Sequence, residues 1–334
     1  MRATQIVLSS RPKGIPTSDT FRFEEIELPN LKEGEVLVQP SFISVDPYMR
    51  GRMNDIESYI PSFQLNAPIE GGIMGKVMES KSDTLKAGEL VLGTLPWATK
   101  SIGKASNLKK IIPSSISPSY YLGILGMPGL TAYFGLLDIG KPKAGETVVV
   151  SGAAGAVGMV VGQIAKIKGC RVVGLAGSDE KVQILKEQFG YDEVINYKTA
   201  GRNLFELIKA ACPNNIDVYF DNVGAEITDS VIFNINAKAR IIVCGQIALY
   251  NSSQISRGLR LLPFILTKSA LIQGFIVHDY KGRFPEGMQQ LTTWLQEGKL
   301  HFKETVIKGF ERLPEAFLGL FSGQNVGKML VQVD

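Results

Sequence analysis

The stretch that decides the fold is Thr147-Val-Val-Val-Ser-Gly-Ala-Ala-Gly-Ala-Val-Gly158, continued by Met-Val-Val-Gly-Gln-Ile-Ala-Lys-Ile-Lys168. Four β-branched residues, Thr147 to Val150, read as a strand buried on both faces. The glycines that follow, Gly152, Gly155 and Gly158, are spaced GxxGxxG, and behind them runs an apolar segment of helical length, read as 156–168. A strand, a glycine turn and a helix in that order make a phosphate-binding loop. Gly152 permits the tight turn, Gly155 lets a pyrophosphate approach the backbone, and Gly158 allows the helix to pack closely on the strand. A helix starting near Ala156 aims free N–H groups and the positive end of its dipole at the phosphates.

Working outward, the next apolar runs are at 171–176, 193–197, 216–221, 240–245 and 271–277. Amphipathic segments at 156–168, 179–189, 203–211 and 225–236 separate the first five. Strand and helix alternating in this way predict an α/β class domain with a doubly wound parallel sheet. Before residue 120 the pattern is different: strands at 35–45, 72–80 and 89–95, punctuated by Pro and Gly, with no long helix. After the alternation come a helix at 285–298 with Trp294 on its apolar side, a strand at 304–308, a helix at 314–322 and a strand at 328–333. That tail is expected to return to the first domain and make it discontinuous.

The end of the second strand of the alternation selects the cofactor. An acid that would hold the adenosine ribose hydroxyls of NAD stands about 20 residues beyond such a loop. This chain has Leu175-Ala-Gly-Ser178 there. No carboxylate opposes a 2′-phosphate, and Lys181 follows one helical turn later. Ser178 caps the next helix, whose first turn carries Asp179 and Glu180. The expectation is NADP(H) rather than NAD(H).

Composition narrows the classes. The chain has 334 residues, 45% hydrophobic and 20% charged, with a net charge of +4 and no basic strip for nucleic acid. Cys170, Cys212 and Cys244 are far apart, without the CxxC spacing of a structural zinc site. The two histidines, His278 and His301, belong to no metal or hydrolase motif and read as structural or surface residues. The start, MRATQIVLSS, lacks the apolar core of a signal peptide, and no apolar run is long enough to span a membrane. A cytoplasmic location is expected.

Several motifs occur in a fixed order: SVDPYMRGRM (44–53), SGAAGAVG (151–158), GCRVVGLAGSDEK (169–181), NYK (196–198), YFDNVG (219–224), CGQI (244–247) and NVGK (325–328). Together they resemble the zinc-independent branch of the medium-chain dehydrogenase/reductases, which contains prostaglandin reductases, alkenal double-bond reductases and curcumin-reductase-like enzymes. The resemblance implies a GroES-like β-barrel domain from residues 1–125 and 300–334. A Rossmann NADP-binding domain, 126–299, is inserted in it. Where zinc-dependent members carry a cysteine motif and Gly-His-Glu, this chain has SVDPYMR and Glu70-Gly71-Gly72. No metal site is expected.

The resemblance further implies cofactor contacts from Gly155, Ala156, Val157 and Gly158 to the pyrophosphate. Ser178, Lys181 and Tyr197 belong at the 2′-phosphate, and Asn222 in the dinucleotide groove. Cys244, Gly245, Gln246, Ile247, Tyr250, Phe275, Ile276, Val277 and Asn325 belong around the nicotinamide half. It also implies a homodimer. Leu261, Leu262, Phe264 and Ile265 read either as pocket walls or as an interface helix.

The implied chemistry is reduction of the carbon–carbon double bond of an α,β-unsaturated ketone or aldehyde. Hydride arrives at the β-carbon and negative charge moves to the carbonyl oxygen. Without a metal a hydrogen-bond donor must stabilise that oxyanion. Tyr250 is the first candidate, Tyr48 the second, and a ribose hydroxyl of the cofactor remains open. Asp46, before Pro47, is expected to fix a turn, and Arg50 to make a structural ion pair or to meet a phosphate. The rival readings are an NADPH quinone oxidoreductase on the same scaffold and a non-catalytic NADPH-binding redox sensor.

Overall fold

The computed structural model describes residues 1–333 and divides the chain into two compact units. One comprises Met1–Leu122, Thr305–Asn325 and the residues from Met329 onward, and the other comprises Gly123–Glu304 and Val326–Lys328.

The first unit is built on antiparallel strands. A hairpin pairs β1 (Arg2–Leu8) with β2 (Phe21–Glu27). The larger sheet contains β3 (Glu35–Ser44), β4 (Glu70–Ser80), β5 (Leu90–Pro96), β6 (Ser101–Lys104) and β7 (Lys109–Ile111). Pro40 interrupts β3 where the register with β4 shifts, because proline has no N–H for the ladder. Opposite it stands Gly75, where a Cβ would lie 2.6 Å from the Gln39 carbonyl oxygen. The one helix between β3 and β4, α1 (Met49–Arg52), is a single turn.

The second unit opens with α2 (Met127–Phe134), which runs on as a wider helix over Gly135–Gly140. A six-stranded parallel sheet follows: β8 (Thr147–Ser151), β9 (Arg171–Ala176), β10 (Glu193–Asn196), β11 (Ile216–Asp221), β12 (Ile235–Val243) and β13 (Leu271–Gly274). Its helices are α3 (Gly158–Ile167), α4 (Asp179–Phe189), α5 (Tyr197–Ala200), α6 (Leu204–Ala211), α7 (Ala225–Ile232), α8 (Leu262–Lys268) and α9 (Phe284–Gln296). The strand order is β10-β9-β8-β11-β12-β13. The chain builds outward from β8 and then crosses to β11, so the switch point of a doubly wound sheet lies between those two strands.

The tail comprises β14 (Glu304–Lys308), α10 (Leu313–Ser322) and β15 (Lys328–Gln332). The larger sheet of the first unit runs β14-β15-β3-β4-β5-β7, with β6 also on β3. Leu313, Ala316 and Phe317 of α10 and Val331 of β15 are fully buried in that unit's core beside Ile6, Ile43, Ile73 and Trp97.

Several boundaries in the alternation differ from the expectation. The helix read as 156–168 begins at Gly158, because the Gly152–Val157 segment is still turning. The helix read as 225–236 ends at Ile232, and β12 starts at Ile235 rather than 240. Ile235 is buried opposite Ile216, and a left-handed Lys238 with φ +61° lets the strand resume its register at Arg240. β12 stops at Val243 rather than 245, because the Cys244 and Gly245 N–H groups both turn to the Asp221 carbonyl, at 2.9 and 3.0 Å. β13 therefore loses its partner after Gly274, and Phe275–Val277 leave the sheet. Finally, Tyr197 is not in β10: Asn196 caps the next turn by accepting from Lys198 N, so Tyr197 opens α5.

Candidate active site

The residues expected to hold a dinucleotide lie, in the second unit, at the carboxyl ends of the parallel strands, where doubly wound sheets bind ligands. At the end of β8, Gly152 has φ +59°, and its carbonyl accepts from Gly155 N at 2.9 Å. The Ala156 and Val157 N–H groups have no backbone acceptor among the described residues and stand at the start of α3. Gly158 packs so tightly that a Cβ would overlap the Gly152 carbonyl and lie 2.8 Å from the Ala153 Cα. The late segment reaches the same loop: Gly327 N donates to the Ala154 carbonyl at 2.8 Å and bridges to Gly155. Asn325, two residues earlier, belongs to the first unit.

The ends of β9 and β10 form a second cluster. Ser178 caps α4 by accepting from Lys181 N at 3.3 Å. A Cβ on Gly177 would lie 2.9 Å from the Tyr197 hydroxyl and 3.3 Å from Lys198 Cε. Burial pushes the Lys181 ammonium below its ordinary pKa, and the charge of Lys198 pushes the same way, against Glu180. Two like charges drawn together beside a glycine, with a phenol between β9 and α5, suit a dianion such as a 2′-phosphate. Lys198 was absent from the residues singled out above; it follows Tyr197 inside NYK and has the charge, but its approach to Lys181 depends on the α5 turn.

At the end of β11, Asn222 is tied to β8: its N–H donates to Ser151 Oγ at 2.9 Å and its Nδ2 to the Ser151 carbonyl at 2.8 Å. The segment after β12 folds back over it. Ile247 N donates to the Asn222 carbonyl at 3.4 Å and Ala248 N to that of Val223 at 3.1 Å. Cys244, Gly245, Gln246, Ile247 and Tyr250 thus surround the end of β11. Phe275–Val277 emerge at the end of neighbouring β13, with the Phe275 ring edge-on to Phe220 at 6.5 Å.

The Tyr250 hydroxyl accepts a hydrogen bond from Gln246 N at 3.3 Å. Burial raises its pKa, the Gln246 N–H opposes it, and the Asp221 carboxylate acts with burial. The phenol therefore keeps its proton, and with the oxygen already accepting, that proton is available to a substrate oxygen. Burial likewise raises the Cys244 thiol to about 12, which removes it as a nucleophile at neutral pH.

Tyr48 lies in the first unit, just before α1. Burial raises its phenol, with Asp46 acting the same way and a hydrogen bond from Arg52 acting against them. Arg52 lies over the Phe63 ring at 3.9 Å, donates to the Pro61 carbonyl at 2.9 Å and faces Glu70 at 3.8 Å. Asp46 does close a turn, its carbonyl accepting from Met49 N at 3.1 Å, and its carboxylate accepts from Ser44 Oγ. Arg50 anchors a neighbouring loop, donating to the Pro12 and Gly14 carbonyls at 3.1 and 2.8 Å and to Asn54 Oδ1 at 2.7 Å. Among the described residues no group of three or more His, Cys, Asp or Glu could hold a metal ion. Among the described residues no helix is long and apolar enough to cross a membrane.

Two family models match the chain, one described as the N-terminal domain of oxidoreductase over residues 4–111 and one as zinc-binding dehydrogenase over residues 156–294. A putative NADP-dependent oxidoreductase of Bacillus subtilis, YfmJ, is 55% identical over 98% of this chain and 97% of its own length. The NADP⁺-dependent 2-alkenal reductase of Nicotiana tabacum is 42% identical over 98% and 97%. The crystal structure of CurA from Vibrio vulnificus in complex with NADPH matches with a TM-score of 0.94 and 42% identity, over 99% of both chains. With relatives of that identity along its whole length, the chain belongs to the zinc-independent reductase family of the medium-chain dehydrogenase/reductases.

Proposed function

We propose that this protein is an NADP(H)-dependent oxidoreductase that reduces the carbon–carbon double bond of α,β-unsaturated ketones and aldehydes. The observation that carries the reading is the Tyr250 hydroxyl: half-buried, protonated, accepting from the Gln246 peptide and able to donate one further hydrogen bond. The NADPH bound by the relative CurA and the 2-alkenal substrate in the name of the tobacco relative support it.

When bound, NADPH supplies the hydride that adds to the β-carbon of the substrate. The chain's own residues bind and orient. Ala156 and Val157 offer peptide N–H groups to the pyrophosphate at the start of α3. Lys181, Tyr197 and Ser178 take the 2′-phosphate, and Lys198 adds a second positive charge there. Asn222, held on both sides to β8, fixes the groove between β8 and β11. Tyr250 donates to the substrate carbonyl oxygen as charge develops on it, which is worth about 2.7–4 kcal/mol for a donor of this kind. Tyr48 has the matching chemistry in the first unit, with the Arg52 charge opposing the burial that raises its phenol. The proton that completes the saturated product comes from solvent water to the α-carbon after the enolate forms.

The same reading includes a homodimer. All four residues of the edge strand β13 are exposed, and α8 beside it exposes Leu262 and Leu266 at 77% and 79%. An open strand edge flanked by apolar side chains is complementary to a second copy of itself.

The test is NADPH consumption over medium-chain enals, enones, quinones and saturated aldehydes, with product analysis. Saturated aldehydes and ketones are the expected products. Allylic alcohols, or turnover of quinones alone, would overturn the proposal.

A further inference from the structure

We infer that Asp221 is a positioning residue for Tyr250, acting through the side chain of Gln246. The inference rests on the reading of Tyr250 as the donor to the substrate oxygen.

Asp221 ends β11 and is 1% exposed. Six donors converge on its carboxylate. Oδ1 accepts from Ser151 Oγ at 2.9 Å, Tyr219 OH at 2.9 Å, Val223 N at 3.0 Å and Gly224 N at 2.9 Å. Oδ2 accepts from Thr228 Oγ1 at 2.7 Å and Gln246 Nε2 at 2.9 Å. The two oxygens divide the labour: Oδ1 gathers β8, β11 and the turn into α7, whereas Oδ2 reaches across to the segment after β12.

Gln246 has no freedom left. Its Nε2 donates both to Asp221 Oδ2 and to the Gly245 carbonyl at 2.9 Å. Turning the amide over would set its oxygen against two acceptors. Its Oε1 packs on Gly224, where a Cβ would overlap it. The side chain therefore fixes its own peptide, and the Gln246 N–H is the group that orients the Tyr250 hydroxyl. The Asp221 main chain reinforces the same turn through Cys244 N and Gly245 N.

Asp221→Asn separates the two roles. With the amide oxygen at Oδ1, four donors remain satisfied. At Oδ2 the new Nδ2 can donate to Thr228, whose hydroxyl also accepts, but it cannot take the proton of Gln246. The Thr228 contact is kept with its direction reversed, the Thr228 proton turning to the Tyr219 oxygen at 3.1 Å, and the link to Gln246 is lost. Turnover of an enone should fall by about tenfold, and the Kd for NADPH should stay within about threefold. Tyr250→Phe alone should fall further, and the double variant should be no slower than Tyr250→Phe, because the two act through one hydroxyl.

Gln246→Glu supplies a second reading that a packing role would not move. It places a carboxyl against the Asp221 carboxylate, and like-charge repulsion raises the pKa of the introduced acid. The titratable groups facing this position are Tyr219, Tyr250 and Cys244, each held protonated by burial. Turnover of the variant should rise as pH falls from about 8 to about 6, while that of the unaltered protein stays flat. This variant decides the matter if Asp221→Asn does not fold, as judged by circular dichroism.

Full turnover in Asp221→Asn, weakened NADPH binding with unchanged turnover, multiplying losses in the double variant, or a flat pH profile in Gln246→Glu would each overturn the inference alone. Full turnover in Tyr250→Phe would remove the donor reading, and the inference with it.

Discussion

Removing the positive charge at position 181 tests the cofactor assignment most directly. Lys181 is half-buried in the first turn of α4, beside Gly177 and Ser178 and close enough to Lys198 for the two charges to disfavour each other. A 2′-phosphate turns that repulsion into attraction for both. A charge-assisted hydrogen bond at a partly buried group is worth about 1.5–3 kcal/mol. At 1.4 kcal/mol per tenfold, Lys181→Ala should weaken NADPH binding by about 10- to 150-fold. Lys198 is exposed, and solvent screens it. Its loss should cost about 0.2–1 kcal/mol, or up to about fivefold. Neither change touches a group that NADH needs. The assay is calorimetric titration with NADPH and with NADH at fixed low salt, since the screening length shrinks with ionic strength. The expected result is a collapse of the preference for NADPH with the NADH affinity unchanged. Equal weakening of both cofactors by Lys181→Ala, or less than about threefold loss for NADPH, would refute the argument, because a charge acting on the 2′-phosphate must discriminate between them.

Other outcomes follow from the same geometry. Tyr250→Phe should lower enone turnover by about 10²- to 10³-fold. Burial holds the Tyr250 phenol above its ordinary pKa, so the donor is present at every pH below about 10 and is lost only above it. A turnover profile that falls between neutrality and that point, and flattens in Tyr250→Phe, would contradict this. Gly158→Ala forces a Cβ into the Gly152 carbonyl and the Ala153 backbone; urea unfolding should show a loss of about 1–3 kcal/mol, and NADPH binding should weaken with it. The thiols of Cys170, Cys212 and Cys244 are raised by burial to about 11, 12 and 12. A thiol reagent at pH about 8 should therefore modify none of them quickly in the native protein and all three after unfolding; rapid native labelling would show that the burial is wrong.

What could be read from the sequence, and what could not, has a physical pattern. The runs 147–151 and 171–176 coincide with β8 and β9, because a strand buried on both faces is continuous in β-branched residues and is ended by glycine. Ser178 as the cap of α4 was equally legible, since capping chemistry is local. The hairpin of β1 and β2 was not, because Arg2–Leu8 and Phe21–Glu27 have no strict alternation and β1 is bridged to distant Pro68 and Ala98. Nor was α2, in which every residue from Pro128 to Phe134 is buried, so that no polar face marks the helical period.

The same division runs through the active site. Glycine loops, the missing acid at 177–178 and the two tyrosines can be picked out one residue at a time. The carboxylate of Asp221 cannot, because its meaning lies in partners 70 residues before it and 25 after it. In the sequence it is the polar end of an apolar strand. Only parallel pairing of β11 between β8 and β12 brings Ser151 and Gln246 to opposite sides of one buried carboxylate. A charge buried so deeply must be satisfied by hydrogen bonds or it would destabilise the fold. Three of the six donors, Val223 N, Gly224 N and Gln246 Nε2, come from the loops that carry Asn222 and Tyr250, Ser151 directly precedes Gly152, and Tyr219 and Thr228 belong to β11 and α7. Satisfying one buried acid and aligning those loops are therefore a single structural requirement.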